Sequence, residues 1–256
     1  MTQSAASARP RGKARLDQLL VDRGLAESKT RAQALILAGR VFTGEQRLDK
    51  PGVQIAVDLE VSVRGAELYV SRGAHKLIAG LDAFAIDPDG LVCLDVGAST
   101  GGFTDVLLSR GAARVHAVDV GYGQLDARLR GDARVVVLER TNARHLTAAQ
   151  IPEPIDLVVC DASFISLRLV LPAALALTRP GARLVALIKP QFEVGKGQVG
   201  KGGVVRDPAL HEAVCADITA WLNGLPGWTV SGVVPSPLLG PAGNREFLVG
   251  AAHAVD

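Results

Sequence analysis

From residue 91 onward the chain alternates short apolar runs with stretches of helical periodicity. The runs are LVCLDV (91–96), RVHAVDV (114–120), RVVVL (134–138), IDLVVC (155–160) and RLVALI (183–188). Buried strands separated by helices predict βαβ units around a parallel sheet. Two further strands are expected, WTVSGVV (228–234) and one in REFLVGA (245–251), joined by the Pro- and Gly-rich PSPLLGPAGN. Before residue 70 the pattern differs. RLDQLLVDRG places Leu16, Leu19 and Leu20 on one helical face and stops at Gly24. A second helix, capped by Ser28, presents Ala32, Leu35 and Ile36 and ends at Gly39. Short alternating strands follow in VFTG, VQIAVDLEVSV and ELYV. SRGAHKLIAGLDAF (71–84) reads as a connecting helix.

The pattern therefore divides the chain into a basic tail expected to be disordered (1–14), a small α/β domain (15–70) and a Rossmann-like α/β domain (71–256). Charge also divides the chain, close to the same boundary. Residues 1–76 hold 13 Lys and Arg against 8 Asp and Glu, while residues 77–256 hold 15 against 18. A basic front joined to a slightly acidic back suggests a polyanion-binding module tied to something else. Arg15, Arg23, Lys29, Arg31 and Arg40 are its candidate phosphate contacts. Aromatic residues make up only 4% of the chain, so base-stacking platforms cannot be widespread. Cys93, Cys160 and Cys215 are scattered in apolar stretches, which argues against a disulfide framework or a zinc site, and no metal is expected. No apolar run reaches the ~18 residues of a membrane span, and no secretory signal is recognisable. The expectation is a soluble, cytoplasmic protein with no membrane partner.

The chemistry concentrates at strand ends. LDVGASTGGFTDVLL (94–108) is a buried strand, a Gly-rich turn and a helix start. The turn, Gly97, Ala98, Ser99, Thr100, Gly101, Gly102 and Phe103, is the expected cofactor cradle. Ser99 replaces the second glycine of the dinucleotide pattern G-x-G-x-x-G, and Asp95 precedes the turn. An acid there repels phosphate and suits a cationic, amino-bearing ligand such as S-adenosylmethionine. Asp119, ending the second strand, is placed to accept from ribose hydroxyls. Asp161 and Lys189 end the fourth and fifth runs, on the sheet edge where such folds place their sites. A lysine between an apolar strand and Pro190 is partly desolvated, as a general base requires, although a lysine alone could equally snorkel or grip phosphate. Glu246 starts the last strand. Ser163 and Ser166 have no G-x-S-x-G elbow around them. VGKGQVGKGGVVRD (194–207) is too glycine-rich for a stable helix or central strand and reads as a mobile loop.

Taken together, SRGAHKL, LDVGASTGGFTDVLL, AVDVGYGQL, VVLERTNAR, DLVVCDASFISL, IKPQFEVGKGQVG and PSPLLGPAGNREF resemble the TlyA family, also known as hemolysin A, over residues 15–250. That resemblance implies an FtsJ-like methyltransferase domain fused to an S4-type RNA-binding domain. It further implies S-adenosylmethionine-dependent 2′-O-methylation of cytidine in 16S or 23S ribosomal RNA, or both. The Lys-Asp-Lys-Glu tetrad of FtsJ-like enzymes falls on Lys76, Asp161, Lys189 and Glu246. The implied roles are Lys189 as base, Asp161 orienting the lysine pair, and Glu246 positioning Lys76 or Lys189. Where relatives often read Arg-Ala-Trp-Val, this chain has Glu67-Leu68-Tyr69-Val70.

Three rival readings follow from the same residues. A nicotinamide-dependent dehydrogenase lacks its G-x-G-x-x-G here. A non-catalytic RNA-binding assembly factor retaining a cofactor pocket leaves the filled tetrad unexplained. A membrane lysin needs an amphipathic cationic helix with large apolar residues, and none is evident.

Overall fold

The computed structural model describes residues 12–26, 28–64 and 69–255. Residues 1–11 of the expected tail lie outside these, as do Glu67 and Leu68 of the tetrapeptide at 67–70. The chain forms two compact units, 1–68 and 69–256.

The small unit begins inside the stretch expected to be tail. Lys13–Arg15 is strand β1, antiparallel to β4 (Gln54–Ala56). Helices α1 (Leu16–Asp22) and α2 (Lys29–Leu37) follow β1. Gly24 (φ +69°) and Gly39 (φ +68°) take the left-handed conformation that ends each helix. Ser28 Oγ accepts from Arg31 N at 3.2 Å, capping α2 as its position predicts. The second sheet pairs β2 (Val41–Thr43) with both β3 (Gln46–Arg47) and β5 (Ser62–Val63). Leu16, Leu20, Ala32, Ile36 and Val41 are fully buried between these elements. Below this core lies Asp17, with no side-chain exposure. It takes two hydrogen bonds from Arg15, at 3.0 and 2.7 Å, and one from Gln33 Nε2 at 2.9 Å.

The large unit opens with α3 (Ala74–Ala83), preceded by Tyr69 and Val70, which form no strand. Its sheet contains β6 (Val92–Val96), β7 (Arg114–Val118), β8 (Val135–Leu138), β9 (Ile155–Cys160), β10 (Thr178–Ile188), β11 (Trp228–Pro235) and β12 (Phe247–His253). The spatial order is β8-β7-β6-β9-β10-β12-β11. The first five strands run parallel, and β12 pairs antiparallel with both β10 and β11. All six residues of β9 are buried, the mark of a strand covered on both faces. Two apolar layers cover the sheet. One gathers Leu171, Ile218 and Leu222 from α5 (Leu167–Leu175) and α6 (Pro208–Asn223). The other gathers Leu77 and Leu81 from α3 with Phe103 and Leu107 from α4 (Gly102–Ser109).

Strand order reverses between β6 and β9, so the loops leaving these two strands diverge and open a crevice at their carboxyl ends. The seven strands predicted from residue 91 onward all form. β10 extends further back than the apolar run 183–188, with a register shift against β9 between Thr178 and Arg183. Pro180 and Gly181 interrupt the apolar pattern there, so the start of this strand is not legible from hydrophobicity. The loop at 194–207 contains a short 3-10 turn, Lys196–Gln198, and a Gly200–Val204 bridge.

Candidate active site

The crevice is a trough of two adjoining hollows of about 500 and about 220 Å³, which share Gly97, Ser99, Asp161 and Ser163. The larger reaches Asp119 and Asn142. The smaller reaches Lys76, Thr100, Phe103 and Lys189. Its floor exists because Gly97 has no side chain. Gly97 has φ +85°, and a β-carbon there would lie 3.0 Å from both N and Cα of Ala162. The strands β6 and β9 can therefore release their chains side by side, tied by Asp161 N to Val96 O at 3.0 Å. Gly101 (φ +98°) serves packing instead. A β-carbon there would strike Leu129 Cδ1 at 2.3 Å, so this residue faces the core and not the trough. Gly102 is in the smaller hollow, where Ser71 Oγ would meet a β-carbon at 2.2 Å.

Asp119 shapes the trough from the next strand. Its Oδ2 accepts from Ser99 N at 2.8 Å and its Oδ1 from Gly121 N at 2.7 Å. These bonds pin the cradle turn to the end of β7 and hold Ser99 at φ +50°. Each carboxylate oxygen keeps a second lone pair for a ligand hydroxyl.

Asp95 differs from its expected role. It has no exposure and does not line the trough. Its Oδ2 accepts from Thr104 Oγ1 at 2.7 Å, and its Oδ1 has no hydrogen-bond partner among the described residues. Burial pushes its carboxyl from the ordinary 3.8 up to about 7, against the lowering effect of the Thr104 bond. The alternation of β6 turns this side chain under the turn toward α4, so direct contact between Asp95 and a ligand is corrected to support of the cradle from below.

The four residues of the expected tetrad converge as two ion pairs. Lys76 Nζ, from the first turn of α3, donates to Glu246 Oε2 at 2.6 Å, where the two side chains are 10% and 0% exposed. Lys189 Nζ lies 2.6 Å from Asp161 Oδ1 and donates to Ser163 Oγ at 2.8 Å and to the Asp161 carbonyl at 3.3 Å. Lys76, Asp161 and Lys189 all line the smaller hollow. Glu246 precedes β12 and lines a third cavity of about 360 Å³, on the other side of Lys189, together with Phe192 and Gly203. Of the two lysines left open as partners of Glu246, the fold brings Lys76 to it, while Asp161 meets Lys189 alone.

Phe164, overlooked in the sequence, stands beside this cavity. It is 90% exposed, has φ +64°, and stacks obliquely on Phe192 with ring centroids 5.1 Å apart. A bulky residue held left-handed and left in water is costly to the fold, which makes Phe164 a candidate for ligand contact. Its signal was its place three residues beyond Asp161. Ser163, which no nucleophile elbow surrounds, reaches Lys189 through a loop path that spacing does not reveal.

Two of the five candidate RNA-binding residues are engaged within the small unit. Arg15 forks onto buried Asp17. Arg23 donates to the carbonyls of Leu59 at 2.7 Å and Val57 at 2.5 Å. Their first task is therefore structural. Lys29, Arg31 and Arg40 are exposed. Among the described residues no cluster of His, Cys, Asp and Glu could hold a metal ion, and no helix is long and apolar enough to cross a membrane.

A seven-stranded sheet reversing at β6 and β9, with a glycine cradle and a strand-end acid at that reversal, defines a Rossmann-like S-adenosylmethionine methyltransferase. The model of the FtsJ-like methyltransferases matches residues 69–253, and that of the S4 domain matches residues 14–61. The 16S/23S rRNA (cytidine-2′-O)-methyltransferase TlyA of Mycobacterium tuberculosis is 53% identical over 93% of this chain and 89% of its own. Hemolysin A of Brachyspira hyodysenteriae is 38% identical over 91% of this chain and 98% of its own. A solved structure of a candidate hemolysin from Streptococcus thermophilus is 40% identical, with a TM-score of 0.71 over 95% of this chain and 90% of that one. The chain belongs to the TlyA family of FtsJ-like methyltransferases with an S4 domain.

Proposed function

We propose that this protein transfers a methyl group from S-adenosylmethionine to the 2′-hydroxyl of a cytidine in ribosomal RNA, of the small subunit, the large subunit or both. The observation that carries the reading is the pairing of Lys76 with Glu246 and of Lys189 with Asp161 around one trough, in a chain 53% identical to an rRNA cytidine-2′-O-methyltransferase. Gly97, Ala98, Ser99, Thr100, Gly102, Phe103, Asp119 and Asp161 would hold the cofactor, whose sulfonium supplies an electrophilic methyl group. The trough volume suits a nucleoside ligand, and the glycine at 97 leaves room for close approach.

The chain's own residues do the rest. A ribose hydroxyl is a poor nucleophile until its proton has somewhere to go. Lys189 is the group placed to take it. As an ammonium it donates to Ser163 Oγ and to the Asp161 carbonyl, and its charge faces Asp161 Oδ1 as an ion pair at 2.6 Å. As a neutral amine it keeps two donors and frees a lone pair to receive the hydroxyl proton. Asp161 and Ser163 aim that lone pair. Lys76, fixed by Glu246, supplies a positive charge on the wall of the same hollow, where it can hold the oxygen as the proton leaves. The remaining gain is alignment of oxygen, methyl carbon and sulfur for in-line displacement. Phe164 offers a face for a base lifted out of its helix. Lys29, Arg31 and Arg40 would hold phosphates without choosing sequence.

The test is to incubate the purified protein with tritiated S-adenosylmethionine and, separately, undermethylated 30S and 50S subunits, then map label by position. Label on cytidine 2′-oxygens is the expected result and identifies the subunit. Cofactor binding without label on either subunit would favour a non-catalytic assembly factor.

A further inference from the structure

Glu246 has only one of its two carboxylate oxygens in a hydrogen bond. Oε2 accepts from Lys76, while Oε1 is buried with no hydrogen-bond partner among the described residues. What Oε1 faces is the bare α-carbon of Gly240. A β-carbon built on Gly240 would stand 2.0 Å from Oε1, 2.7 Å from Cδ and 3.4 Å from Cγ of Glu246. The backbone of Gly240 does not itself ask for glycine. Its φ of −70° and ψ of 177° are open to any L-residue. Gly243, three residues on, is the opposite case: φ is +85°, and nothing lies within 4 Å of a β-carbon there. One glycine of the turn answers a backbone requirement, and the other answers a contact with a carboxylate.

The turn that carries Gly240 is fixed at both ends. Gly240 N donates to Asn244 O at 2.8 Å, and Ser236 N donates to Glu246 O at 2.9 Å. Asn244 is itself anchored, accepting from Val205 N at 3.1 Å and donating to Gly203 O at 3.0 Å. The Gly240 wall therefore cannot be displaced without disturbing these bonds, and the Glu246 side chain in front of it has no exposure to solvent.

We propose that Gly240 is a positioning residue for methyl transfer, a wall without a side chain that seats the Glu246 carboxylate on Lys76. It keeps water from Oε1, so that Lys76 is the principal partner of this carboxylate, and it fixes the height at which Lys76 enters the hollow. The inference rests on the reading of Lys76 and Glu246 as part of the catalytic set.

The experiment compares the wild type and six full-length variants for kcat, KM for ribosomal subunits, cofactor binding and thermal unfolding. Gly240→Ala is expected to lower kcat at least tenfold with cofactor affinity unchanged. Glu246→Asp withdraws the carboxylate by one methylene and is expected to lose activity on its own. The double variant Gly240→Ala/Glu246→Asp is expected to be more active than Gly240→Ala, because the shorter side chain clears the new methyl. Gly243→Asn perturbs the same turn without touching Glu246 and is expected to stay near wild-type activity. Wild-type kcat in Gly240→Ala, or losses that simply multiply in the double variant, would overturn the seat. Should Gly240→Ala fail to fold, the double variant decides: recovered folding and activity support the seat, and continued failure overturns it. Lys76→Ala and Glu246→Gln separate the two levels. If both keep full activity, the catalytic reading fails and the seat with it. If both are inactive while Gly240→Ala is unaffected, only the seat fails.

Discussion

Lys76 and Glu246 are 170 residues apart in sequence and 2.6 Å apart in the fold. Their pairing joins the first helix of the large unit to the residue that leads into its last strand in sequence. Each is nearly or wholly removed from water, so neither charge can be deleted cheaply. Breaking such a pair from one side typically costs ~3–5 kcal/mol, because the remaining charge is stranded. Glu246→Gln keeps the shape and removes the charge. We expect it to lower kcat by about 10²-fold, the lower end of what a positioned proton-transfer apparatus contributes, while cofactor affinity changes little. Single-turnover methylation alongside calorimetric cofactor binding would check both halves.

Lys189 and Ser163 should separate by size of effect. Lys189→Ala removes the proposed base, and a loss of ~10²–10⁴-fold in rate is expected, with binding to ribosomal subunits retained. Ser163→Ala removes one hydrogen bond to Lys189 Nζ, worth ~1 kcal/mol net. A several-fold loss is expected there. Equal methylation by Lys189→Ala in a radiolabel assay would refute its assignment as base.

The large unit was legible because its strands are apolar runs bounded by Gly, Pro and charged residues, and because strand ends carry Asp119, Asp161 and Lys189. Composition cannot say which way a strand-end side chain points. Asp95 illustrates this. It precedes the cradle in sequence, yet pleat alternation sends it beneath the turn to Thr104. Arg15 and Arg23 illustrate a second limit. A basic residue in a basic module looks like a phosphate contact until the fold shows a buried carboxylate or two free carbonyls within its reach. The pairing of Glu246 with Lys76, and not with Lys189, depends on where β12 enters the sheet beside β10, which local pattern does not encode.

Gly97 gives a test of the cradle that is independent of catalysis. Its φ of +85° is costly for any residue with a β-carbon, and that carbon would press the backbone of Ala162 at 3.0 Å. Gly97→Ala is expected to weaken S-adenosylmethionine binding at least tenfold by calorimetry. Unchanged affinity would mean that the cofactor does not lie on this turn.

Asp17 gives a test in the small unit. Arg15 and Gln33 hydrogen bonds hold its carboxyl well below the ordinary range. A group with a lowered folded value contributes stability above its unfolded titration and loses it as pH falls toward the folded one. Asp17→Asn keeps the shape but gives up the charge-assisted bonds, each worth ~1.5–3 kcal/mol. It is expected to destabilise the small unit at pH 7, read as earlier hydrogen exchange of α1 and α2, with the difference from wild type shrinking in acid.

Asp95 makes the opposite prediction about pH. Its folded titration lies at about 7, raised chiefly by burial, against an ordinary 3.8. Between these values the folded protein holds a proton that the unfolded chain has already released. Stability contributed by this site therefore falls as pH rises from about 4 through about 7, and above that the full cost of a buried carboxylate is present. Asp95→Asn does not titrate and retains an acceptor for Thr104 Oγ1. Its melting temperature relative to wild type should thus rise from pH 5 to pH 8, independently of any effect common to both. Parallel melting curves across that range, with a constant offset, would show that Asp95 titrates normally in the fold. The same variant should keep measurable cofactor binding, because the side chain supports the turn without reaching the trough. An Asp95→Asn protein that is stable at pH 8 yet unable to bind S-adenosylmethionine would restore the direct ligand role that its buried position argues against.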